Sequence, residues 1–260
     1  MLTRKELIEY RDIFGFSLGQ IEKDYLQHIF LINLYKTVSN ELLFKGGTAL
    51  QKFYGLNRFS EDLDFNLIED ISIEKIFDRT IRGMSLFGCD SEIKKLKEDD
   101  ISIVYLTRSK GPLYDGTEKS LSYIRIEISK RNDVFLVPVR NEVVPIYRDL
   151  PPYIASVMNP SEIMAEKIRA IMTRDRARDL YDLYFLIRKK IDVDVNLIDK
   201  KLSYSNKKFS VKDFFESVEK KKKIWNQELR QLISVVPRFQ MVREAIENWS
   251  KTNINNLREL

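Results

Sequence analysis

Two carboxylates, Asp62 and Asp64, stand two positions apart in Phe59-Ser60-Glu61-Asp62-Leu63-Asp64-Phe65-Asn66-Leu67. Polar and apolar residues alternate here, the pattern of a half-buried strand, and positions i and i+2 of a strand share a face. Ser60, Asp62, Asp64 and Asn66 therefore face one way, with Leu63 and Phe65 opposite. Two hard oxygen ligands side by side are a seat for Mg²⁺. Upstream lies Phe44-Lys45-Gly46-Gly47-Thr48-Ala49-Leu50. Two glycines after a short apolar segment let the backbone turn tightly and approach a ligand closely. Thr48 then opens a helical pattern that Gly55 stops, so helix N–H groups and the positive end of the dipole are offered to an anion. Lys45 and Arg58 add cations where nucleotide phosphates would lie. A cation seat beside a phosphate cradle is the arrangement for phosphoryl or nucleotidyl transfer, where positioning and charge neutralisation carry the chemistry. Each part alone has a plainer reading: Gly-Gly-Thr is a common turn and Asp-x-Asp a common solvated edge. Their order, with Ser60 on the carboxylate face, favours the chemical reading.

Other elements must hold these residues in place. Ile21, Tyr25, Ile29, Ile32 and Tyr35, three or four apart, predict a helix over 18–38. A second helix is expected over 72–87, and strands over 101–106 and 122–129. In the latter, Ile124, Ile126 and Ile128 alternate with Arg125, Glu127 and Ser129. Pro138, Pro145, Pro151 and Pro152 punctuate the chain and suggest a domain boundary. Asn159, Pro160 and Glu162 then form a helix start. Helices are expected over 160–172, 177–189, 195–201, 210–223 and 226–250. The sequence thus reads as α+β, with a mixed domain over 1–150 and a helical domain over 151–260.

Composition narrows the setting. The chain has 260 residues, 43% hydrophobic and 32% charged, which argues against extensive disorder. No apolar run approaches the ~18 residues of a membrane span, and charges near Met1 replace the apolar core of a signal peptide. A single cysteine, Cys89, makes neither an intrachain disulfide nor a cysteine-based zinc site, and a single histidine, His28, makes no multi-histidine site. A reducing cytoplasm is the expected location. Net charge is −2 over residues 1–160 and +7 over 161–260, which points to a polyanionic partner for the back half. Lys220 to Lys223 read either as a solvated helix end or as contacts to an RNA backbone. His28, Cys89, Trp225 and Trp249 read as packing residues, with base stacking the alternative for the tryptophans.

The string Phe-Lys-Gly-Gly-Thr-Ala-Leu over 44–50, followed by Arg-Phe-Ser-Glu-Asp-Leu-Asp-Phe over 58–65, resembles the AbiEii/AbiGii abortive-infection toxins. These are nucleotidyltransferases of the DNA-polymerase-β-like superfamily. Ala165-Glu166-Lys167-Ile168-Arg169-Ala170 and Arg178-Asp179-Leu180-Tyr181-Asp182-Leu183-Tyr184 extend the likeness, which spans residues 15–190. The resemblance implies a small mixed sheet with helices, a helical C-terminal domain and a positive cleft. It also implies a nucleoside triphosphate donor, Mg²⁺ and a separately encoded winged-helix antitoxin; some similar enzymes modify tRNA 3′ ends. By motif position, Gly46, Gly47 and Thr48 would hold the phosphates, with Lys45 assisting. Ser60 would contact the triphosphate, and Asp62 and Asp64 would hold metal. Lys167 and Asp182 match the second lobe's motifs. Superfamily members often carry a third carboxylate, commonly Asp, on a later strand; the candidate here is Glu127. Without the resemblance, Lys167 and the 178–182 segment read as a salt-bridge ladder. With it, Lys167 reads as a phosphate contact and Asp182 as the group that orients a lysine or the base.

The expectation is therefore a Mg²⁺-dependent nucleotidyltransferase toxin. An acceptor hydroxyl, on RNA and by preference a tRNA 3′ end, attacks the α-phosphorus and pyrophosphate leaves. The alternatives are a small-molecule or protein hydroxyl as acceptor, or a nucleotide-binding interaction module without turnover.

Overall fold

Local signals start the first two helices. Thr3 and Glu6 close a capping box at the head of α1 (Arg4–Phe14), and Ser17 and Gln20 do the same for α2 (Leu18–Tyr35). The computed structural model describes residues 1–253. α2 is buried on nearly every side from Ile21 to Leu34, which places Glu22, Asp24, Gln27 and His28 in the interior. Buried polar groups require partners, and those of Asp24 and Gln27 lead to the site below.

The remaining elements of the first unit are β1 (Leu42–Lys45), α3 (Gly46–Tyr54), β2 (Leu63–Leu67), α4 (Ile73–Leu86), β3 (Ser91–Glu98), β4 (Ser102–Ser109), β5 (Ser122–Ser129), β6 (Val139–Val143) and β7 (Tyr153–Val157). One mixed seven-stranded sheet runs β3-β4-β5-β2-β1-β7-β6. β2 lies inside it, antiparallel to β1 and parallel to β5. The alternation seen in the sequence sets its face: Leu63 and Phe65 are buried, Asp62 and Asp64 partly exposed. β3 is an edge strand that is mostly exposed on both faces. Lys94, Lys95 and Lys97 and a register shift between Lys95 and Lys97 blunt this edge.

The chain divides into two compact units. The first holds residues 1–132 and 138–158, so the boundary expected at 150 falls later. The reason is β7: Tyr153–Val157 pairs with β6, and Val157 with Phe44 of β1, despite the nearby prolines. The second unit takes residues 133–137 and the chain from Asn159. Its described helices are α5 (Pro160–Thr173), α6 (Ala177–Arg188), α7 (Val195–Ser203), α8 (Val211–Lys221), α9 (Trp225–Leu229) and α10 (Phe239–Asn253). Residues 133–137 are held there by charge-assisted bonds. Phe135 and Leu136 N–H groups donate to the Glu162 carboxylate at 2.8 and 2.9 Å, and the buried Lys201 ammonium lies 2.8 Å from the same carboxylate. The single helix expected over 226–250 is two helices. Pro237 lies in the break, and its carbonyl accepts from Trp225 Nε1 at 2.8 Å. Trp225 and Trp249 are both buried, which favours packing over base stacking.

Candidate functional site

β1 delivers the chain to Gly46 and Gly47, the first two residues of α3. The N-cap residue, Lys45, makes no side-chain cap bond at this helix start. Gly46 has φ +76°, and a Cβ there would overlap Asp64 Oδ2. A Cβ on Gly47 would overlap the Arg58 guanidinium and lie 2.9 Å from Ser60 Oγ. The two glycines thus let Asp64, Arg58 and Ser60 close directly onto the loop backbone. In register, Asp64 stands opposite Lys45 on one side and Glu127 on the other. Lys45, Gly46, Gly47, Ser60, Asp64 and Glu127 are therefore brought together, with Asp62 immediately before β2.

Two residues, Thr48 and Arg58, behave differently from the sequence expectation. Thr48 is fully buried, and its hydroxyl donates to the Asp62 carbonyl, so that hydroxyl ties the loop to the strand and does not face a ligand. Arg58 is 2% exposed and donates from Nη1 to the Phe59 carbonyl at 2.9 Å; it braces the loop from beneath. Glu127 is half-exposed and shares an ion pair of 3.4 Å with Arg125. Among the described residues, no three Asp, Glu, His or Cys side chains are grouped to hold a metal ion. The donor set nonetheless suits Mg²⁺, which is commonly bound through one or two carboxylates with phosphate and water completing the shell. Asp62 and Asp64 are the two carboxylates that would do so.

The second-lobe residues lie within the helical unit. Lys167 Nζ is 3.1 Å from Asp179 Oδ1 and 2.7 Å from Asp182 Oδ2, and both carboxylates are fully buried. Arg174 adds a two-pronged contact to Asp179 at 2.8 and 2.9 Å. Burial works against the Asp179 charge, but Lys167 and Arg174 outweigh it and hold the carboxyl well below its usual range. Asp182 and Asp179 together orient the lysine. Of the four lysines at 220–223, Lys221 is buried against Asp175 at 2.8 Å, leaving Lys220, Lys222 and Lys223 exposed.

Sequence reasoning missed the residues that hold the 58–62 segment. Ser60 N–H donates to Gln51 Oε1 at 3.0 Å. Gln27 Nε2 donates to the Ser60 and Glu61 carbonyls, both at 2.9 Å. Gln51 Nε2 in turn donates to Asp24 Oδ1 at 2.9 Å, and Asp24 also receives Lys52 at 2.9 Å and the Tyr147 hydroxyl at 2.8 Å. The available signal was the run of polar residues in an otherwise apolar α2.

His28 belongs to this buried group, with Nδ1 3.0 Å from the Tyr153 hydroxyl. Burial and the Lys52 charge lower its pKa from 6.5 to about 3. The unfolded chain therefore binds a proton below pH 6.5 that the folded protein refuses until about pH 3. Stability should fall with decreasing pH in that window by up to about 1.4 kcal/mol per unit from this group. Urea unfolding across the window should give His28→Gln a flatter profile than wild type. Equal slopes would show that His28 does not titrate this way.

Comparisons with known proteins come from three directions. Residues 34–249 match the family model described as nucleotidyl transferase AbiEii toxin, type IV toxin–antitoxin system. An uncharacterized Aquifex aeolicus protein, aq_aa25, is 30% identical over 179 residues, covering 67% of this chain and 71% of that protein. Among solved structures, the MenT4 nucleotidyltransferase toxin of Mycobacterium tuberculosis is similar with a TM-score of 0.67 at 20% identity, over 99% of this chain and 93% of that one. JHP933 from Helicobacter pylori is similar with a TM-score of 0.63 at 21% identity, over 94% and 95%.

Proposed function

We propose that this chain, which belongs to the AbiEii family of nucleotidyltransferase toxins, transfers a nucleoside monophosphate from a triphosphate to the 3′ end of an RNA, by preference a tRNA. The observation that carries the reading is the closure of Gly46 and Gly47 onto Asp64, Arg58 and Ser60. The open start of α3 and Lys45 receive the phosphates, with Ser60 beside them. Asp62 and Asp64 would hold Mg²⁺, which would supply charge neutralisation for the triphosphate. Glu127, next to Asp64, accepts the proton of the acceptor hydroxyl as its oxygen bonds to the α-phosphorus and the bond to pyrophosphate breaks. Lys167, held by Asp179 and Asp182 within the helical unit, is the lysine that matches the family's second motif, and a phosphate-binding role is assigned to it on that match alone. The setting is the cytoplasm, in a toxin–antitoxin pair with a separately encoded antitoxin and a role in abortive infection by phage. No described helix is long and apolar enough to cross a membrane.

The test incubates the protein with each α-labelled triphosphate, Mg²⁺ and total cellular RNA, then identifies the labelled species. RNA labelled at 3′ ends is expected. Label on a small molecule or a protein would replace the acceptor assignment, and binding without transfer would favour a module without turnover. RNA affinity should also fall with salt, each backbone contact contributing a slope of about −0.7 for a single strand. Neutralising Lys220, Lys222 and Lys223 should shallow that slope. An unchanged slope would show that these lysines are only solvated.

A further inference from the structure

The segment from Arg58 to Asp62 has no helix or strand of its own, yet it carries Ser60 and leads into Asp62. Side chains hold its backbone. The Ser60 N–H is received by Gln51 Oε1 at 3.0 Å. A primary amide has a donor end and an acceptor end of nearly equal size, so shape alone does not decide which end faces Ser60. Asp24 decides it. Its Oδ1 lies 2.9 Å from Gln51 Nε2, and a carboxylate only accepts, so the amide oxygen is turned to the Ser60 N–H. Lys52 at 2.9 Å and the Tyr147 hydroxyl at 2.8 Å keep Asp24 a carboxylate inside the fold; His28 Nε2 lies 3.8 Å away. Asp24 is 2% exposed and sits on α2, remote in sequence from the site.

We infer that Asp24 and Gln51 are positioning residues for nucleotide transfer: the buried carboxylate orients the Gln51 amide, and the amide oxygen fixes the Ser60 backbone that leads into Asp62. The inference rests on the nucleotidyltransferase reading of the site. Groups that orient directly acting residues are commonly worth about ten- to a hundredfold in activity or affinity.

A polarity swap tests this. In Gln51→Glu the side chain keeps its size but sets a second carboxylate against Asp24, and like charges in contact repel. In the double variant Asp24→Asn with Gln51→Glu, the asparagine amide donates to the new carboxylate, which also becomes the counter-charge for Lys52, whose Nζ shares Asp24 Oδ1 with the Gln51 amide in wild type. That carboxylate still accepts from Ser60 N–H, and net charge is that of wild type. Expected for Gln51→Glu is a kcat about ten- to a hundredfold lower, with a smaller change in KM for the triphosphate. The double variant should recover most of the loss. Thermal melting separates this from a purely structural role, which would lower Tm and leave kcat of the folded enzyme unchanged. Should Gln51→Glu fail to fold, Gln27→Met removes the donors to the Ser60 and Glu61 carbonyls at similar volume and should lower kcat in the same way. A folded Gln51→Glu with wild-type kcat, or a double variant no better than the single, overturns the inference. If wild type transfers nothing, the functional reading itself has failed. Triphosphate affinity by calorimetry then reads the same pattern of loss and recovery, and its absence overturns the relay.

Discussion

Asparagine in place of Asp64 is expected to cut nucleotide transfer by roughly a thousandfold or more, with thermal stability unchanged or slightly raised. β2 is paired on both sides, through Lys45 on β1 and Glu127 on β5, so the backbone at Asp64 does not depend on its side chain. Leu63 and Phe65 anchor the opposite face at full burial. The exchange of carboxylate for amide therefore alters charge and leaves shape alone. Asp62 precedes β2 by one residue and Asp64 is its second residue, so two like charges stand two positions apart and neutralising one relieves their mutual repulsion. On the proposed function the cost falls on transfer, because a site that gathered a triphosphate around a divalent cation would lose half of its paired negative charge. Asp62→Asn should act in the same direction. Transfer of labelled nucleotide, measured beside a melting curve, checks both. Near wild-type turnover in either variant would remove the carboxylate assignment, and unfolding of both would make the pair structural.

The legible part of this site is the part written in short-range sequence. Gly46-Gly47, the helix to Gly55 and the alternation from Phe59 to Leu67 are local patterns, and α3 and β2 follow them. Alternation also placed Glu127 on the polar face of β5, and the parallel register puts it beside Asp64. What was not legible depends on distance in the chain. β3 was missed because Ser91–Glu98 is lysine-rich and exposed on both faces, so it shows no hydrophobic period. β7 was hidden by Pro151 and Pro152, although a strand can begin just after a proline. Arg58 and Lys221 are charged residues that only the folded chain buries: Arg58 fills the space a Cβ at Gly47 would take, and Lys221 pairs with Asp175. Thr48 has the residue type of a phosphate ligand, yet its hydroxyl is taken by the Asp62 carbonyl. Asp24, Gln27 and Gln51 were invisible for the same reason. Their roles exist only once α2 and α3 pack beside the 58–62 segment.

Replacing Gly46 by alanine should abolish most transfer, whereas the same replacement at Gly55 should not. Both glycines have a left-handed backbone, φ +76° and +78°, so each alanine meets a similar conformational strain of about 1 kcal/mol. Their surroundings differ. A Cβ at Gly55 meets nothing within 4 Å, while a Cβ at Gly46 would overlap Asp64 Oδ2. Strain alone would therefore lower both melting temperatures by similar amounts and leave both enzymes active. Displacement of the Asp64 carboxylate predicts something more specific: Gly46→Ala loses about a hundredfold in transfer, since a shift of roughly 1 Å at a reacting centre has that cost, and Gly55→Ala keeps it. Gly47→Val extends the series, because its Cβ collides with the Arg58 guanidinium and crowds Ser60 Oγ. It should weaken triphosphate binding more than Thr48→Ala, which removes a hydroxyl that already points inward to the Asp62 carbonyl. Calorimetric titration and single-turnover transfer measured on the four variants separate these effects. Equal activity in Gly46→Ala and Gly55→Ala would mean that the glycine loop is a turn and nothing more, and the close approach of Asp64 to it would carry no chemistry.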